Sequence, residues 1–457
     1  MIPAPVGIKV GRVRNTTATL LLSVVAASCG SSQEFERPNV LLITVDTLRA
    51  DHLTPYGYER TTSPYLDELA RESTVFGDAL SQCGTTPQSL SSIMTGMYPY
   101  TDEVVTKSGP FTYLRPEAAP LAERLSQAGY RTHAITSSVQ SSRMTGLDAG
   151  FASFDSIEVG PEGTKKSKRR GAVEISELGR EWLGANAGVG EPFFLWLHYL
   201  DPHYPYAAEA EYDELFGVEP FEPGATRNYR FDEKKSASYP LSDGELRELV
   251  REYDREIRAT DDALRDVLET MPEGLLERTL VVFTADHGEA LGHRGIISHN
   301  ELYQSIVHVP LIVRFPGASR AARVDEPVML VDVVPTILDC VGLPVDPRLR
   351  GTSLRERPSP GRLRVAEYAD KKAYLADGWK WIRRRNREEV YSLAQDPSES
   401  RDLQDSSGAE GASLAGLRAS VQRLSPRPPG SAVSAPTVEP TAEAIQELHD
   451  LGYTGDE

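Results

Sequence analysis

Two acids and several imidazoles stand where long apolar runs stop. The run Asn39-Val40-Leu41-Leu42-Ile43-Thr44-Val45 ends in Asp46, and the run at 279–285 (TLVVFTA) ends in Asp286-His287. A third run, 193–199 (FFLWLHY), is followed within a few residues by His203, in Asp201-Pro202-His203-Tyr204-Pro205. A continuous apolar run marks a strand buried on both faces, as in a parallel sheet. The working rim of such a sheet lies at the carboxyl ends of its strands. Topology alone is therefore expected to bring these carboxylates and imidazoles to one edge. Six of the nine histidines (198, 203, 287, 293, 299 and 308) fall between 198 and 308. A lone histidine is commonly a satisfied core or surface residue, but a set gathered at strand ends reads as a site.

A hydroxyl cluster completes the chemistry-bearing residues. In Gly84-Thr85-Thr86-Pro87-Gln88-Ser89-Leu90-Ser91-Ser92-Ile93-Met94-Thr95-Gly96, Thr86 before Pro87 reads as a helix N-cap with proline at the first helical position. That role alone accounts for the residue. The same position also suits chemistry, because an anion sits well against free N–H groups at the positive end of a helix. A nearby divalent metal would lower the hydroxyl pKa and make it a nucleophile.

The elements that must position these groups follow from the wider pattern. A further apolar run lies at 309–315 (VPLIVRF), a weaker one at 132–137, and helical periodicity appears over 63–73, 118–128, 172–185 and 243–270. Alternation of strands and helices predicts an α/β fold, with a mainly parallel central sheet and helices on both faces. The chain has 457 residues, 40% hydrophobic and 25% charged, which excludes global disorder. Its net charge of −18 excludes general electrostatic binding to nucleic acid. Three cysteines exclude a disulfide framework, and Cys340 in an apolar helix reads as core packing. The basic run 164–170 (TKKSKRR) reads as a solvated insertion loop, with contact to an anionic substrate or lipid as the lesser reading.

At the N-terminus, Lys9, Arg12 and Arg14 precede a short apolar stretch, Leu20 to Ala27, too short to span a bilayer. It ends in Ala26-Ala27-Ser28-Cys29, which resembles a bacterial lipoprotein signal with Cys29 as the lipidated residue. An ordinary signal peptide with an incidental cysteine is the plainer alternative. Both send the chain out of the cytoplasm, the first to a lipid-anchored place in the cell envelope, facing the periplasm or in the outer membrane. The expected organisation is a signal peptide at 1–29, a tether at 30–37, a catalytic domain at 38–355, a smaller C-terminal α+β subdomain at 356–403, a flexible spacer at 404–440 and a terminal helix at 441–457.

Val45-Asp46-Thr47-Leu48-Arg49-Ala50-Asp51-His52, Tyr56-Gly57-Tyr58 and Thr61-Thr62-Ser63-Pro64-Tyr65-Leu66 resemble the opening of the sulfatase family, within the alkaline-phosphatase-like superfamily. The resemblance continues through SSIMTGMYP (91–99), HYLDPHYPY (198–206), FTADHGEALG (283–292), HNELYQSIVHVPLI (299–312) and VDVVPTILDCVGL (331–343), and ends weakly at VYSLAQDP (390–397). It implies Asp46, Asp286 and His287 as metal ligands. It puts Thr86 at the nucleophile and fourth-ligand position, nine residues before Thr95, although alignment on Pro87 would select Thr85. His203 and His299 match groups that contact the ester's anionic oxygens or protonate the leaving group. Lys107 is a weaker member of the same pocket.

Three departures shape the functional expectation. Cys83 lacks the following x-Pro-Ser-Arg, so the formylglycine motif is missing; Leu90 stands at the arginine position and Thr47 at that of the usual second acid. Fewer carboxylates and an imidazole favour Mn²⁺ or Zn²⁺ over Ca²⁺, which remains an alternative. The implied protein is a sulfatase-like hydrolase cleaving sulfate or phosphate/phosphonate esters with one divalent metal and a threonine nucleophile. Its implied substrate is a small anionic ester or a sulfated or phosphorylated glycan. The alternatives are a phosphoryl transferase of the lipoteichoic-acid-synthase type and a non-catalytic glycan-binding surface lipoprotein.

Overall fold

The computed structural model describes residues 1, 37–108, 111–157, 169–188, 190–206, 208, 210–217, 241–318, 320–405, 409–424 and 442–450. The expected signal peptide after Met1, with Cys29, nearly all of the tether, residues 164–168 of the basic run, residues 406–408 and 425–440 of the spacer, and residues 441 and 451–457 of the terminal helix lie outside them. The strands are β1 (Asn39–Val45), β2 (Thr74–Leu80), β3 (Val105–Ser108), β4 (Phe111–Leu114), β5 (Arg131–Thr136), β6 (Ser153–Asp155), β7 (Phe193–Tyr199), β8 (Thr279–Ala285), β9 (His308–Arg314), β10 (Ala322–Val324), β11 (Val328–Met329), β12 (Arg364–Tyr368), β13 (Lys371–Ala376), β14 (Trp379–Arg383) and β15 (Glu388–Ser392). The principal helices are α1 (Pro64–Ala70), α2 (Thr86–Thr95), α3 (Leu121–Gln127), α4 (Ala172–Asn186), α5 (Asp243–Glu269), α6 (Val333–Cys340), α7 (Ala409–Val421) and α8 (Ala442–Asp450).

The main sheet has the order β10-β2-β9-β8-β1-β7-β5-β6, with β11 also paired to β2. β1 lies between β7 and β8, parallel to both, and every residue of all three strands is buried. That explains their unbroken apolar runs, since a strand covered on both faces has no polar side to show. Helices α1, α4 and α5 pack together, as do α2, α3 and α6, so the two groups form the layers that cover the sheet. Helix α5 starts at a reciprocal cap, in which Glu245 N donates to Ser242 Oγ and Ser242 N donates to Glu245 Oε2.

Two strands differ from the sequence pattern. The run at 309–315 forms β9, but antiparallel to both β8 and β2. An apolar run reports burial and not direction. The link from β8 contains no long crossover helix and re-enters the sheet from the edge it left, which forces reversal. β2 has no clear signature in the sequence, because a register irregularity between Phe76 and Ala79 breaks its alternation.

The C-terminal strands form a separate antiparallel sheet, β12-β13-β14-β15, with α7 packed on β13 and β14. Its core joins Val365, Trp381, Ile382 and Tyr391 to Leu80, Cys83, Leu302 and Ile306 of the larger part.

Candidate active site

β1 and β8 pair in register, Val45 opposite Ala285. Asp46 and Asp286 therefore leave the sheet side by side, each with its N–H still bonded to a neighbouring strand: Asp46 N donates to Tyr199 O at 2.9 Å and Asp286 N to Val45 O at 3.2 Å. Both carboxylates are buried, at 2% and 0% exposure. The chain then turns at Thr47, which has φ 53°, a left-handed conformation that costs a β-branched residue about 1–3 kcal/mol. The turn is held from both sides. Thr47 N donates to Asp286 Oδ1 (3.3 Å), and Thr47 O accepts from the Tyr253 hydroxyl of α5 (2.6 Å).

Helix α2 brings the hydroxyl. Its N-cap is Thr85, one residue earlier than the sequence suggests, so Thr86 is the first helical residue and Pro87 follows it. The two threonines are thereby separated. Thr85 Oγ1 donates to Gln88 Oε1 (2.7 Å) and meets Cys83 Sγ at 3.1 Å, whereas Thr86 Oγ1 lies 3.3 Å from Asp46 Oδ2 and 3.3 Å from His287 Nε2. The helix and the end of β2 are both tied to the acid, because the hydroxyls of Ser89 on α2 and of Ser81 just after β2 donate to the Asp286 carbonyl. Gly84 permits the close approach of the opposite loop, as a Cβ there would stand 2.5 Å from the carbonyl oxygens of His299 and Glu301.

His287 is orientated by its own backbone neighbour. Nδ1 donates to Gly288 O at 3.0 Å, so Nε2 presents a lone pair, 3.7 Å from Asp46 Oδ1 and 3.6 Å from Asp286 Oδ2. Burial pushes the Asp286 carboxyl up to about 7, and burial together with the Asp286 charge pushes Asp46 well above the usual carboxylate range. Burial pulls His287 down to about 3. Asp46 Oδ1 and Asp286 Oδ2 are buried with no hydrogen-bond partner among the described residues. One ligand atom from each of Asp46, His198 and Asp286 lies within 4.8 Å of the other two. Paired buried acids with orphaned oxygens beside an imidazole lone pair suit a divalent cation, whose charge would offset their repulsion.

The family model for sulfatases matches residues 38–343 of the chain, which contain all of these groups. The chain belongs to the sulfatase family. It is thus a hydrolase of sulfuric or phosphoric ester bonds on an alkaline-phosphatase-like fold. A sulfatase of Formosa agariphila is 25% identical over 443 residues, covering 83% of this chain and 87% of the relative. The solved structure of BT4656 in complex with its substrate D-glucosamine-2-N,6-O-disulfate superposes with a TM-score of 0.70 at 19% identity, covering 85% of this chain and 97% of that one. The phosphonate monoester hydrolase of Agrobacterium radiobacter gives 0.69 at 18% identity, covering 84% and 95%.

In this sulfatase-family chain the other expected residues divide into two groups. His203 and His299 join the cluster: their ring centroids are 5.4 Å apart, and His299 stacks on His287 at 4.4 Å. Burial pulls both imidazoles down to about 3, with His299 adding to the effect on His203 and His287 to that on His299. Nδ1 of His299 donates to Gly84 O at 2.9 Å, which ties the loop of 299–301 to the start of α2. Lys107, by contrast, is exposed on β3. Its cross-strand partner is Thr112, whose hydroxyl accepts from Gln88 Nε2 at 3.1 Å, so the hairpin approaches the first turn of α2.

Leu90 is fully buried on α2, and Cys83 is a buried thiol pushed up to about 12 by burial, inert as a nucleophile. Arg170, last of the basic run, pairs with Asp155 at 2.8 Å, a structural role. The sequence marks His198 only as one of six clustered histidines. It sits inside an apolar strand, and its pairing with Thr44, two residues before Asp46, becomes visible only through the β1–β7 register.

Proposed function

We propose that this chain is a metal-dependent hydrolase that uses Thr86 as its nucleophile. The observation that carries the reading is the position of Thr86 Oγ1, 3.3 Å from both Asp46 Oδ2 and His287 Nε2, beside carboxylate oxygens that no group among the described residues satisfies. Asp46, Asp286, His287 and Thr86 would hold one divalent cation. Two oxygens from acids with imidazole nitrogen favour Mn²⁺ or Zn²⁺ over Ca²⁺. When bound, the cation lowers the hydroxyl pKa and offsets the charge of an ester oxygen.

The chain's own residues supply the rest. Thr86 Oγ attacks the sulfur or phosphorus in line while its proton passes to Asp46. The bond to the leaving oxygen breaks, and that oxygen takes a proton from His203 or His299. Burial keeps both imidazoles neutral in the free protein; an anionic ester beside them would raise their pKa and so create the acid only in the complex. Water, losing a proton to the imidazole that gave one, then attacks the sulfur or phosphorus of the Thr86 ester; Thr86 Oγ leaves, regains its proton from Asp46, and sulfate, phosphate or phosphonate is released. If an acceptor hydroxyl replaces water, the same residues carry out group transfer, and product analysis separates the two.

A threonine ester, unlike the ester of an aldehyde hydrate, has no geminal hydroxyl to expel the anion, so release that preserves the side chain requires a second displacement at sulfur or phosphorus. This favours phosphate and phosphonate esters, while the disulfated glucosamine held by BT4656 supports a charged glycan as the natural substrate. Cys29 is proposed as a lipid anchor to the cell envelope, tested by release of a Cys29→Ser variant from the membrane fraction. The central test assays Thr86→Ala and Asp286→Ala on aryl sulfate, phosphomonoester, phosphodiester and phosphonate substrates with added Mn²⁺ or Zn²⁺. Unchanged turnover in either variant rejects the assignment.

A further inference from the structure

His198 lies on β7, opposite Thr44 of β1 in the parallel register, and is fully buried. A histidine that only fills a core has both ring nitrogens satisfied or uses its apolar edge. Here the nitrogens are divided. Nδ1 lies 2.8 Å from Thr44 Oγ1, and Nε2 is buried without a hydrogen-bond partner among the described residues. A ring nitrogen of His198 is nevertheless within 4.8 Å of a carboxylate oxygen of both Asp46 and Asp286. Because Thr44 takes Nδ1, the atom left for that face is Nε2.

We propose that His198 Nε2 is a further ligand of the cation, beside the residues assigned above; the inference rests on the metal-dependent reading. Three observations converge on it. His198 Nε2, Asp46 Oδ1 and Asp286 Oδ2 are all buried, and none has a hydrogen-bond partner among the described residues. Nε2 makes no hydrogen bond to either acid among the described residues, and the 4.8 Å limit on the ring's distance to both acids is close to twice a metal–ligand distance of about 2.0–2.3 Å. The ring is also held from behind. Thr44 Oγ1 accepts from Trp196 Nε1 at 2.9 Å, and its second lone pair is free to accept from His198 Nδ1. A metal-bound histidine characteristically donates its other ring N–H in this way, which fixes both tautomer and orientation. The reverse arrangement, with the Thr44 proton on Nδ1, would leave Nε2–H and no ligand.

The site would then offer two imidazoles and two carboxylates, a donor set that disfavours Ca²⁺ more strongly than one imidazole does. The test loads the full chain with Mn²⁺ alone and counts coordinated imidazole nitrogens by pulsed electron paramagnetic resonance. The expected count is two in the wild type and one in His198→Gln, with Mn²⁺ affinity in that variant lowered by roughly 100-fold or more in chelator competition, beyond what loss of an outer partner usually costs. Thr44→Val, which keeps the imidazole but removes its acceptor, is expected to show a smaller loss of affinity. A count of one in the wild type overturns the proposal while leaving the metal-dependent reading intact. Failure of the wild type to bind Mn²⁺, Zn²⁺ or Ca²⁺ overturns both. Because the decisive count is made on the wild type, a poorly folding variant does not affect the outcome.

Discussion

Two regions of this protein bury charge, and they treat it in opposite ways. Where the C-terminal sheet meets the main body, buried acids have cations. Lys380 and Glu399, both fully buried, meet at 2.7 Å. Asp332 receives both arms of Arg362 at 2.8 Å, and Glu367 accepts from the N–H groups of Tyr100 and Thr101 while pairing with Lys372. At the carboxyl edge of β1 and β8, by contrast, Asp46 and Asp286 stand together with no lysine or arginine paired to either among the described residues. The first arrangement holds two sheets in register. The second leaves a deficit of positive charge beside the Thr86 hydroxyl, an arrangement that costs stability and is characteristic of functional sites.

Substitutions can break this comparison. The largest effect is expected at Thr86, where alanine should lower turnover by roughly a thousandfold or more with the thermal midpoint nearly unchanged, while serine retains measurable activity. A single assay series across the three proteins checks this. Next comes Lys380→Met, which strands Glu399 and should cost about 3–5 kcal/mol in urea unfolding, with activity per folded molecule preserved. Loss below ~1 kcal/mol would show that the buried pair holds the seam no more firmly than a surface pair would.

Asp286→Asn is expected to act in the opposite direction. In the presence of a chelator it removes a buried charge next to Asp46, and stability at pH 8 should rise by about 1–2 kcal/mol although activity disappears. A fall in the melting temperature would remove the distinction between the two regions.

A pH series sharpens the contrast further. Asp286 has a folded value raised to about 7, against about 4 unfolded. Its contribution to stability is complete below about pH 4 and is lost as pH rises through about 7. His287, lowered to about 3, has the opposite sign: its contribution is present above about pH 6.5 and is lost as pH falls through its folded value. A cation must displace the acid protons but meets a neutral imidazole throughout. The rise in melting temperature caused by Mn²⁺ should therefore grow from about pH 5 to about 7 and then level. A rise independent of pH would contradict the raised acids. The smallest effect is expected at exposed Lys107, where alanine should raise KM a few-fold on an anionic substrate and change kcat by less than about twofold.

Much of the site is legible in the sequence. Asp46, Asp286 and His287 can be located because an unbroken apolar run that stops at a polar residue marks the end of a buried strand. The helix start near Thr86 is visible through Pro87, although its cap falls one residue earlier, at Thr85, whose hydroxyl turns to Gln88. β2 and the direction of β9 are not legible, because a bulge hides alternation and a buried run carries no sign of polarity. His198 is hidden for a related reason: in a strand of large apolar residues one imidazole looks like packing.

The order of residues along the chain is enough to mark which strands are buried, where each ends and which ionisable groups follow. Those are local properties, set by side-chain type and spacing. Which strand lies beside which, and hence that Thr44 faces His198 and that two acids stand side by side, comes only from the folded sheet. Register is a relation between segments more than a hundred residues apart, and the hydrogen bonds that fix it leave no trace in either segment alone.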